Sequence, residues 1–305
     1  MNVLEVQHLR KEFGTLSVID DLSFEVKEHS VYGFLGKNGA GKTTTMKMIL
    51  GLVKPTAGEI YVCGERVQYG ETKTNRYIGY LPDVPEYYGY MKPKEYLKLC
   101  GEITGLSEKQ IKVKSEELLH LVGLENSDRR IKGFSRGMKQ RLGIAQALLN
   151  EPRLLICDEP TSALDPIGRK EILDILSIVR KQTTVVFSTH ILSDVERICD
   201  SVGILEKGKL CLEGELSKLK QDSRQDGIRI VLGNDVNVQQ IVKELKQFDF
   251  IKKVSAKNHE LTLHLKHIEE NGAKVLEYLV MKKIPIKQYE ELEPTLENLF
   301  VEVVK

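Results

Sequence analysis

Eight residues, GKNGAGKT at 36–43, leave this chain few choices of fold. Glycine at the first and sixth positions, followed by lysine and threonine, matches the pattern of a phosphate-binding loop. The apolar run SVYGFLG before the loop predicts a buried strand, and TTTMKMILGLVKPTAG after it has the apolar spacing of a helix. In this setting, backbone N–H groups and the positive end of the helix converge on phosphate oxygens. We therefore predict that the chain binds a nucleoside triphosphate.

Individual roles follow from the pattern of this loop. Lys42 is expected to reach the β- and γ-phosphates, and the Thr43 hydroxyl to help hold Mg²⁺. The expected nucleotide-binding residues are Gly36, Lys37, Asn38, Gly39, Ala40, Gly41, Lys42, Thr43 and Thr44. A generic glycine-rich turn is the alternative, and the flanking strand and helix argue against it.

Two further apolar runs end in polar residues that complete such a site. RLLICDEP predicts a strand ending at Asp158, which can bind Mg²⁺ directly or through water, and Glu159 follows it. Glu159 is placed to polarise a water aimed at the γ-phosphate. His190 ends the run TTVVFSTH and is predicted to belong to the same site. The alternative is a solvent-facing acidic pair with a structural histidine.

Composition narrows the class of protein. With 305 residues the chain is long enough for a large domain and a smaller one, and its 45 basic and 44 acidic residues nearly cancel. Bulk charge therefore gives no argument for a nucleic-acid partner, and we expect none. The five cysteines are scattered without paired spacing, which is typical of reduced thiols. No window reaches the ~18 apolar residues of a membrane span, so we expect a soluble, cytoplasmic chain.

Periodicity predicts the organisation of the chain. NVLEVQHL and SVIDDLSFEV read as antiparallel strands, residues from about 85 to 150 as mostly helical, and the later apolar runs as a parallel sheet. A polar, charged stretch predicts a linker at 217–227. Beyond it, residues 228–305 have a βαββαβ order that fits a small ferredoxin-like α+β domain, with TLENLFVEVV as a closing helix.

Five features, in order along the chain, resemble the motifs of ABC transporter ATP-binding subunits. They are the loop at 36–43, the signature FSRGM at 134–138, LLICDE at 154–159, SALD at 162–165 and His190. The resemblance covers roughly residues 1–215. It implies an α/β P-loop NTPase domain at 1–216, with a RecA-like core, an antiparallel β subdomain and a helical subdomain at about 85–150. The nucleotide is then ATP, bound with Mg²⁺ and hydrolysed.

The resemblance also implies a dimer, expected to be a homodimer, in which each ATP lies between the loop of one subunit and the FSRGM signature of the other. Ser135 is a good N-cap residue, and Gly137 lets backbone approach a phosphate closely. These two match the family pattern Leu-Ser-Gly-Gly-Gln, whereas Phe134, Arg136 and Met138 depart from it. Asp165 is implied to bridge toward the partner subunit. An ordinary capped helix start is the alternative for this stretch.

The resemblance implies roles for two further residues, and each has an alternative. Phe13 takes the place of the family's adenine-stacking aromatic, and packing of Phe13 on the core is the alternative. Asp83 stands where the family usually has glutamine. Its carboxylate can still meet Mg²⁺, but the donor that a glutamine offers to water is lost.

In this family a permease helix docks near PEYYGYMKPKEYLKL (85–99), where Tyr87, Tyr88, Tyr90 and Tyr96 form either an interface or an aromatic core. The permease is expected to be a separate integral-membrane chain, which places this protein peripherally on the inner face of the cell membrane. The ending EPTLENLFVEV and the stretch GMKQRLGIAQALL look like ABC-2-type exporter subunits, including bacitracin- and lantibiotic-resistance and sodium-efflux ATPases.

Two other functions compete with an exporter ATPase. A non-transport ABC ATPase would act on ribosomes, DNA or iron–sulfur assembly, but the chain has a single loop of this kind and little room for an inserted coiled coil between Lys42 and Ser135. A regulatory binder without hydrolysis is disfavoured, because Glu159 and His190 are both present.

Overall fold

The computed structural model describes residues 1–71, 73–222, 227–234, 236–292 and 296–297. Contacts divide the chain into two compact units, the first covering Met1–Leu216 and the second beginning at Ser217. Each unit has a hydrophobic core of its own.

Strands and helices alternate through the first unit and across its boundary. The strands are β1 (Asn2–Phe13), β2 (Leu16–Lys27), β3 (Val31–Gly36), β4 (Ala57–Val62), β5 (Glu65–Arg66), β6 (Ile78–Leu81), β7 (Leu154–Asp158), β8 (Thr184–Thr189), β9 (Ser201–Glu206) and β10 (Lys209–Glu215). The helices are α1 (Lys42–Ile49), α2 (Pro93–Ile103), α3 (Glu108–Leu121), α4 (Arg136–Leu148), α5 (Pro166–Val179), α6 (Leu192–Ile198) and α7 (Leu216–Asp222).

A six-stranded sheet in the order β10-β9-β3-β8-β7-β6 positions the predicted site. Its strands pair in parallel except for β10, which is antiparallel to β9. Every residue of β3, β7 and β8 is buried, as expected for parallel strands covered on both faces. Since parallel strands end at the same edge, the residues that follow β3, β6, β7 and β8 lie along one edge of this sheet.

Two other parts of the first unit flank this sheet. An antiparallel sheet in the order β2-β1-β4-β5 is built from the alternating N-terminal runs. Helices α2, α3 and α4 fill most of the stretch from 93 to 148, and α3 begins at a capping box in which Ser107 accepts from the Gln110 N–H. The predicted α/β class, with antiparallel and helical parts beside a parallel sheet, is confirmed.

The second unit has the predicted order of strands and helices. They are β11 (Gly227–Leu232), α8 (Val238–Leu245), β12 (Ile251–Lys257), β13 (Glu260–Leu265), α9 (Ile268–Met281) and β14 (Ile286–Glu291). The antiparallel sheet runs β12-β13-β11-β14, which is the ferredoxin-like arrangement. Apolar residues of alternate strand positions pack on α8 and α9, because side chains of a strand alternate between faces.

The sequence misses one element at the boundary between the units. The stretch 217–227, interpreted as a linker, contains most of helix α7, whose Leu216 is buried. Its apolar spacing is too short to stand out among charged neighbours, so the linker prediction is wrong for residues 217–222. The closing helix predicted at TLENLFVEVV lies outside the described residues except for 296–297.

Candidate functional site

The glycine-rich loop joins β3 to α1 as predicted. Gly36 ends the strand, and Gly41 caps the helix with a φ of 111°, a left-handed conformation that favours glycine. A Cβ on Gly41 would lie 2.4 Å from Ile19 Cδ1 and 3.0 Å from the Val18 carbonyl oxygen. No side chain caps α1. The first N–H groups of this helix are therefore available to an anion.

Lys42 is the first residue of α1, and its side chain is only 6% exposed. Its Nζ donates to the carbonyl oxygens of Gly36 (2.7 Å) and Lys37 (3.2 Å), and it lies 3.0 Å from Oε1 of Glu159. The loop's own carbonyl groups therefore hold the ammonium group over the loop, where it can meet a phosphate.

Asp158 and Glu159 follow one another at the end of β7 but differ in their surroundings. Oδ1 of Asp158 accepts from the Ser188 hydroxyl at 2.6 Å, and that hydroxyl oxygen accepts from the Glu159 N–H at 2.9 Å. Oε2 of Glu159 lies 2.9 Å from Nδ1 of His190. Lys42, Glu159 and His190 thus form one contiguous charged cluster. Ser188 was missed from the sequence, although it lies two residues before His190 on a strand already assigned to the site.

A cleft of about 450 Å³ opens over this cluster. It is lined by Val18, Asn38, Gly39, Gly41, Lys42, Thr43, Thr44, Asp83, Glu159, Ser162 and His190. The structure thus brings together most of the loop residues with Asp83, Glu159 and His190, which come from three other places in the sequence. Asp158 is 2% exposed and lies beneath this lining, held by Ser188. Gly36, Lys37 and Ala40 belong to the loop but do not line the cleft.

Asp83 lies in the loop after β6, and Oδ1 lies 3.1 Å from Nη2 of Arg136. Burial raises the pKa of the Asp83 carboxyl above its ordinary value, and the nearby charges of Asp158 and Glu159 act in the same direction. The Arg136 guanidinium opposes them. The Asp83 carboxylate is therefore close enough to Asp158 and Glu159 to share their negative electrostatic environment.

The signature forms a second helix start, outside the lining of the cleft. Ser135 is the N-cap of α4, and its Oγ accepts from the Met138 N–H at 3.2 Å. Ser135 is exposed and Gly137 is half-buried. A Cβ on Gly137 would meet no atom closer than Leu164 Cδ2, at 3.9 Å. The backbone at Gly137 is therefore accessible to an approaching molecule.

The remaining expected residues lie apart from the cleft lining. Asp165 is exposed and caps α5 by accepting from the Gly168 N–H at 3.1 Å. Phe13 ends β1 with 51% of its surface exposed, and Lys11 Nζ lies 4.4 Å from its ring centroid. Packing of Phe13 inside the core, one of its two interpretations, is therefore wrong.

The four tyrosines near residue 90 divide into two pairs. Tyr96 is buried, its ring lies 5.0 Å from that of Tyr87, and the Tyr87 hydroxyl donates to the Lys139 carbonyl oxygen at 2.6 Å. Tyr88 and Tyr90 are 56% and 64% exposed. One pair thus packs inside the helical part, and the other forms a surface.

The residues present fit a Mg²⁺-bound triphosphate. Lys42 supplies a buried cation beside the loop, Oε1 of Glu159 lies 3.0 Å from its ammonium group, and no side chain caps the N–H groups at the start of α1. Among the described residues, no group of three or more His, Cys, Asp or Glu side chains is arranged to hold a metal ion.

Comparison with protein families finds two matches. Residues 19–162 match the family described as ABC transporter, and residues 214–304 match the C-terminal domain of ATP-binding proteins like DrrA1-3. In the part of the chain that the structure describes, no helix is long and apolar enough to cross a bilayer.

Individual relatives extend these matches over the whole chain. The Bacillus subtilis ABC transporter ATP-binding protein YxlF is 37% identical over 99% of both chains. The bacitracin transport ATP-binding protein BcrA of Bacillus licheniformis is 42% identical over 73% of each chain. Among solved structures, an ATP-binding subunit of an ABC transporter superposes with a TM-score of 0.65 at 35% identity, covering 72% of this chain and 92% of that one.

Proposed function

The chain belongs to the ABC transporter ATP-binding family, and from this premise we propose that it hydrolyses ATP to power export through a separate membrane permease. The observation that carries the proposal is the convergence of Lys42, Glu159 and His190 at the cleft of the phosphate-binding loop. A buried cation, a buried carboxylate and an imidazole beside a helix start are the groups that phosphoryl chemistry needs.

ATP binding is assigned to the loop between β3 and α1. The N–H groups of the loop and of the first turn of α1 cradle the phosphates, and Lys42 donates its charge to the β- and γ-phosphates. The ATP-binding set is Gly36, Lys37, Asn38, Gly39, Ala40, Gly41, Lys42, Thr43 and Thr44. Phe13, exposed at the end of β1, offers its ring to the adenine.

Hydrolysis is assigned to Glu159 and His190. Glu159 accepts a proton from the attacking water, and His190 holds the Glu159 carboxylate through the 2.9 Å contact between Nδ1 and Oε2. The N–H of Glu159 is fixed by Ser188, so the carboxylate extends from an anchored backbone. Oε1 lies 3.0 Å from the Lys42 ammonium group, and no other donor of the described residues reaches it.

Mg²⁺ is assigned to Thr43, Asp158 and Asp83. Bound Mg²⁺ would neutralise charge on the phosphate oxygens and orient them. Thr43 and Asp83 line the cleft, and Asp158 lies below them with Oδ1 oriented by the Ser188 hydroxyl. Such an orienting contact is typical of carboxylates that bind a metal.

A second copy of the chain is proposed to complete each ATP site. Ser135 and Gly137, at the start of α4, would meet the γ-phosphate of the ATP held by the other copy, and Asp165 would bridge between the copies. The exposure of Ser135 and Asp165 and the open space at Gly137 support this arrangement.

The permease is proposed to bind near the exposed Tyr88 and Tyr90, because exposed tyrosines are frequent anchors of interfaces. This contact would place the chain on the inner face of the cell membrane. The relative BcrA is named for bacitracin transport, and we propose an antibiotic, peptide or ion as the exported substrate. We also propose that residues 1–216 and 228–305 are separate domains, with the second acting on the dimer or on turnover.

The test uses Glu159→Gln, which should bind ATP without hydrolysing it. The tagged variant is purified with Mg-ATP from gently solubilised membranes of its native host, and the co-purifying chains are identified. We expect a stoichiometric membrane protein with several spans, and much less of it with Lys42→Ala as the matched control. Recovery of ribosomes or other soluble partners instead would contradict the exporter assignment and favour a non-transport ATPase.

A further inference from the structure

Two positions at which this chain departs from the family pattern are in contact with each other. Arg136 stands within the signature and Asp83 replaces the usual glutamine, and Nη2 of Arg136 lies 3.1 Å from Oδ1 of Asp83. The two residues are separated by 53 positions in the sequence. A charge pair within one chain thus joins the cleft, which Asp83 lines, to the first turn of α4.

Asp83 is held by α4 at a second point. Nε2 of the fully buried Gln140 donates to the Asp83 carbonyl oxygen at 2.6 Å. The same surface of α4 packs closely against β6, since a Cβ on Gly143 would lie 2.4 Å from Leu81 Cδ1. The loop that carries Asp83 and the start of α4 are therefore fastened together by side-chain, backbone and packing contacts.

Helix physics alone gives no reason for arginine at position 136. It is the first residue of α4, where the helix dipole is positive and a cation is unfavourable. The first turn contains no acidic residue. Asp83, from a different element, is the anion that compensates the Arg136 charge. Because the guanidinium is engaged within its own chain, we assign it to that contact and not to a phosphate held by another copy.

We propose that the Asp83–Arg136 pair couples the chain's own ATP cleft to the signature that the chain offers to a second copy. The inference rests on the proposed function. A ligand that moves the Asp83 carboxylate moves Arg136 with it, and the first turn of α4 carries Ser135 and Gly137. Arg136 is therefore a positioning residue, which acts through α4 without contacting its own ATP.

The test measures hydrogen exchange of the amides at 134–140, with and without a non-hydrolysable ATP analogue and Mg²⁺, at concentrations where the chain is monomeric. The variants are Arg136→Gln and the charge-preserving Arg136→Lys. Lys139→Gln is the matched control, because it removes a cation one turn further along α4 where no contact with Asp83 exists. Nucleotide affinity is titrated in parallel with a fluorescent ATP analogue.

We expect the analogue to change the exchange rate of 134–140 about two- to fivefold in wild type, Arg136→Lys and Lys139→Gln, the range expected of a partly exposed ion pair. In Arg136→Gln the response should fall to near zero, while nucleotide affinity stays within about twofold. A purely structural role would change the exchange rate equally with and without the analogue.

Two results would overturn the coupling and leave the proposed function intact. One is nucleotide binding by Arg136→Gln with an undiminished response of 134–140. The other is an equal loss of response in Lys139→Gln, which would indicate a general effect of charge on α4. Failure of the wild-type chain to bind nucleotide would instead overturn the proposed function itself, and the coupling with it.

Discussion

The starts of helices α1 and α4 both carry a glycine, but for different reasons. Gly41, before α1, has a φ of 111° and no room for a Cβ, so the fold of the chain requires glycine there. Gly137, second in α4, has open space around it, with the nearest atom 3.9 Å from an added Cβ. Glycine costs a helix about 1 kcal/mol relative to alanine. Nothing in the structure of its own chain requires glycine at 137, which supports our proposal that another molecule approaches this position.

The surroundings of the two helix starts differ in the same way. At α1, a buried lysine and the Glu159–His190 pair supply charge from within the chain. At α4, the exposed Ser135 caps its own helix, and Arg136 is turned back to Asp83. One helix start is a nearly complete ligand site. We propose that the other, at α4, becomes a site only when a second copy brings the ligand.

The largest expected effect concerns the chemistry at the first helix start. Glu159→Gln should lower ATP hydrolysis by about 10²- to 10⁴-fold, the usual contribution of a general base. Nucleotide affinity should change little, since the phosphates are held by the loop and Lys42. Phosphate release measures the rate. Glu206→Gln is the control and should retain the wild-type rate, because this acid ends β9, which β3 and β8 separate from β7 in the sheet. A wild-type rate in Glu159→Gln would refute the base assignment.

Lys42→Ala should weaken ATP binding by about 10²-fold or more, because it removes charge-assisted hydrogen bonds to the phosphates and the cation that faces Oε1 of Glu159. Titration with a fluorescent ATP analogue gives the dissociation constant. Lys47→Ala removes an exposed lysine from the last turn of the same helix and should bind normally. Equal affinities for the two variants would mean that the buried lysine is not part of the site.

The difference between Gly41 and Gly137 can be tested by measuring the free energy of unfolding of alanine variants. Gly41→Ala should lower the free energy of unfolding by about 2–4 kcal/mol, since alanine there is strained in its backbone and crowded by Ile19. Gly137→Ala should raise it by about 0.4–1 kcal/mol through better helix propensity. Thermal unfolding of the nucleotide-free proteins compares them. Comparable destabilisation by both substitutions would show that Gly137 also serves the fold of its own chain.

The smallest effect on nucleotide binding by the isolated chain is expected for Ser135→Ala. Loss of the N-cap should cost about 1 kcal/mol, and nucleotide affinity of the monomer should stay unchanged. In a mixed dimer with Glu159→Gln, a serine that acts across the dimer puts both changes on the same composite site, so the other site should retain turnover. Ser107→Ala, which removes the N-cap of α3, controls for capping alone. A lower monomer affinity in Ser135→Ala would place the serine in its own chain's site.

The sequence predicts the residues around the start of α1 better than those around the start of α4, for a physical reason. Residues 36–43 are contiguous, and their chemistry follows from local backbone conformation. The acid and histidine assignments rest on the rule that parallel strands end at one edge, which the structure satisfies. The Ser188 bridge and the Asp83–Arg136 contact depend on side chains from separate elements meeting in space, and no local pattern encodes such meetings. Helix α7 was missed because few apolar residues mark it.

The most direct test of the proposed ATP-bound dimer is the mass in solution of Glu159→Gln. It is measured with and without Mg-ATP by gel filtration with light scattering. We expect Glu159→Gln to be a monomer without nucleotide and a dimer with Mg-ATP. The double variant Glu159→Gln/Gly137→Ala, whose added methyl group has space within its own chain, should bind ATP and remain monomeric. Equal dimerisation of the double variant would contradict the claim that the second helix start closes the ATP site of another copy.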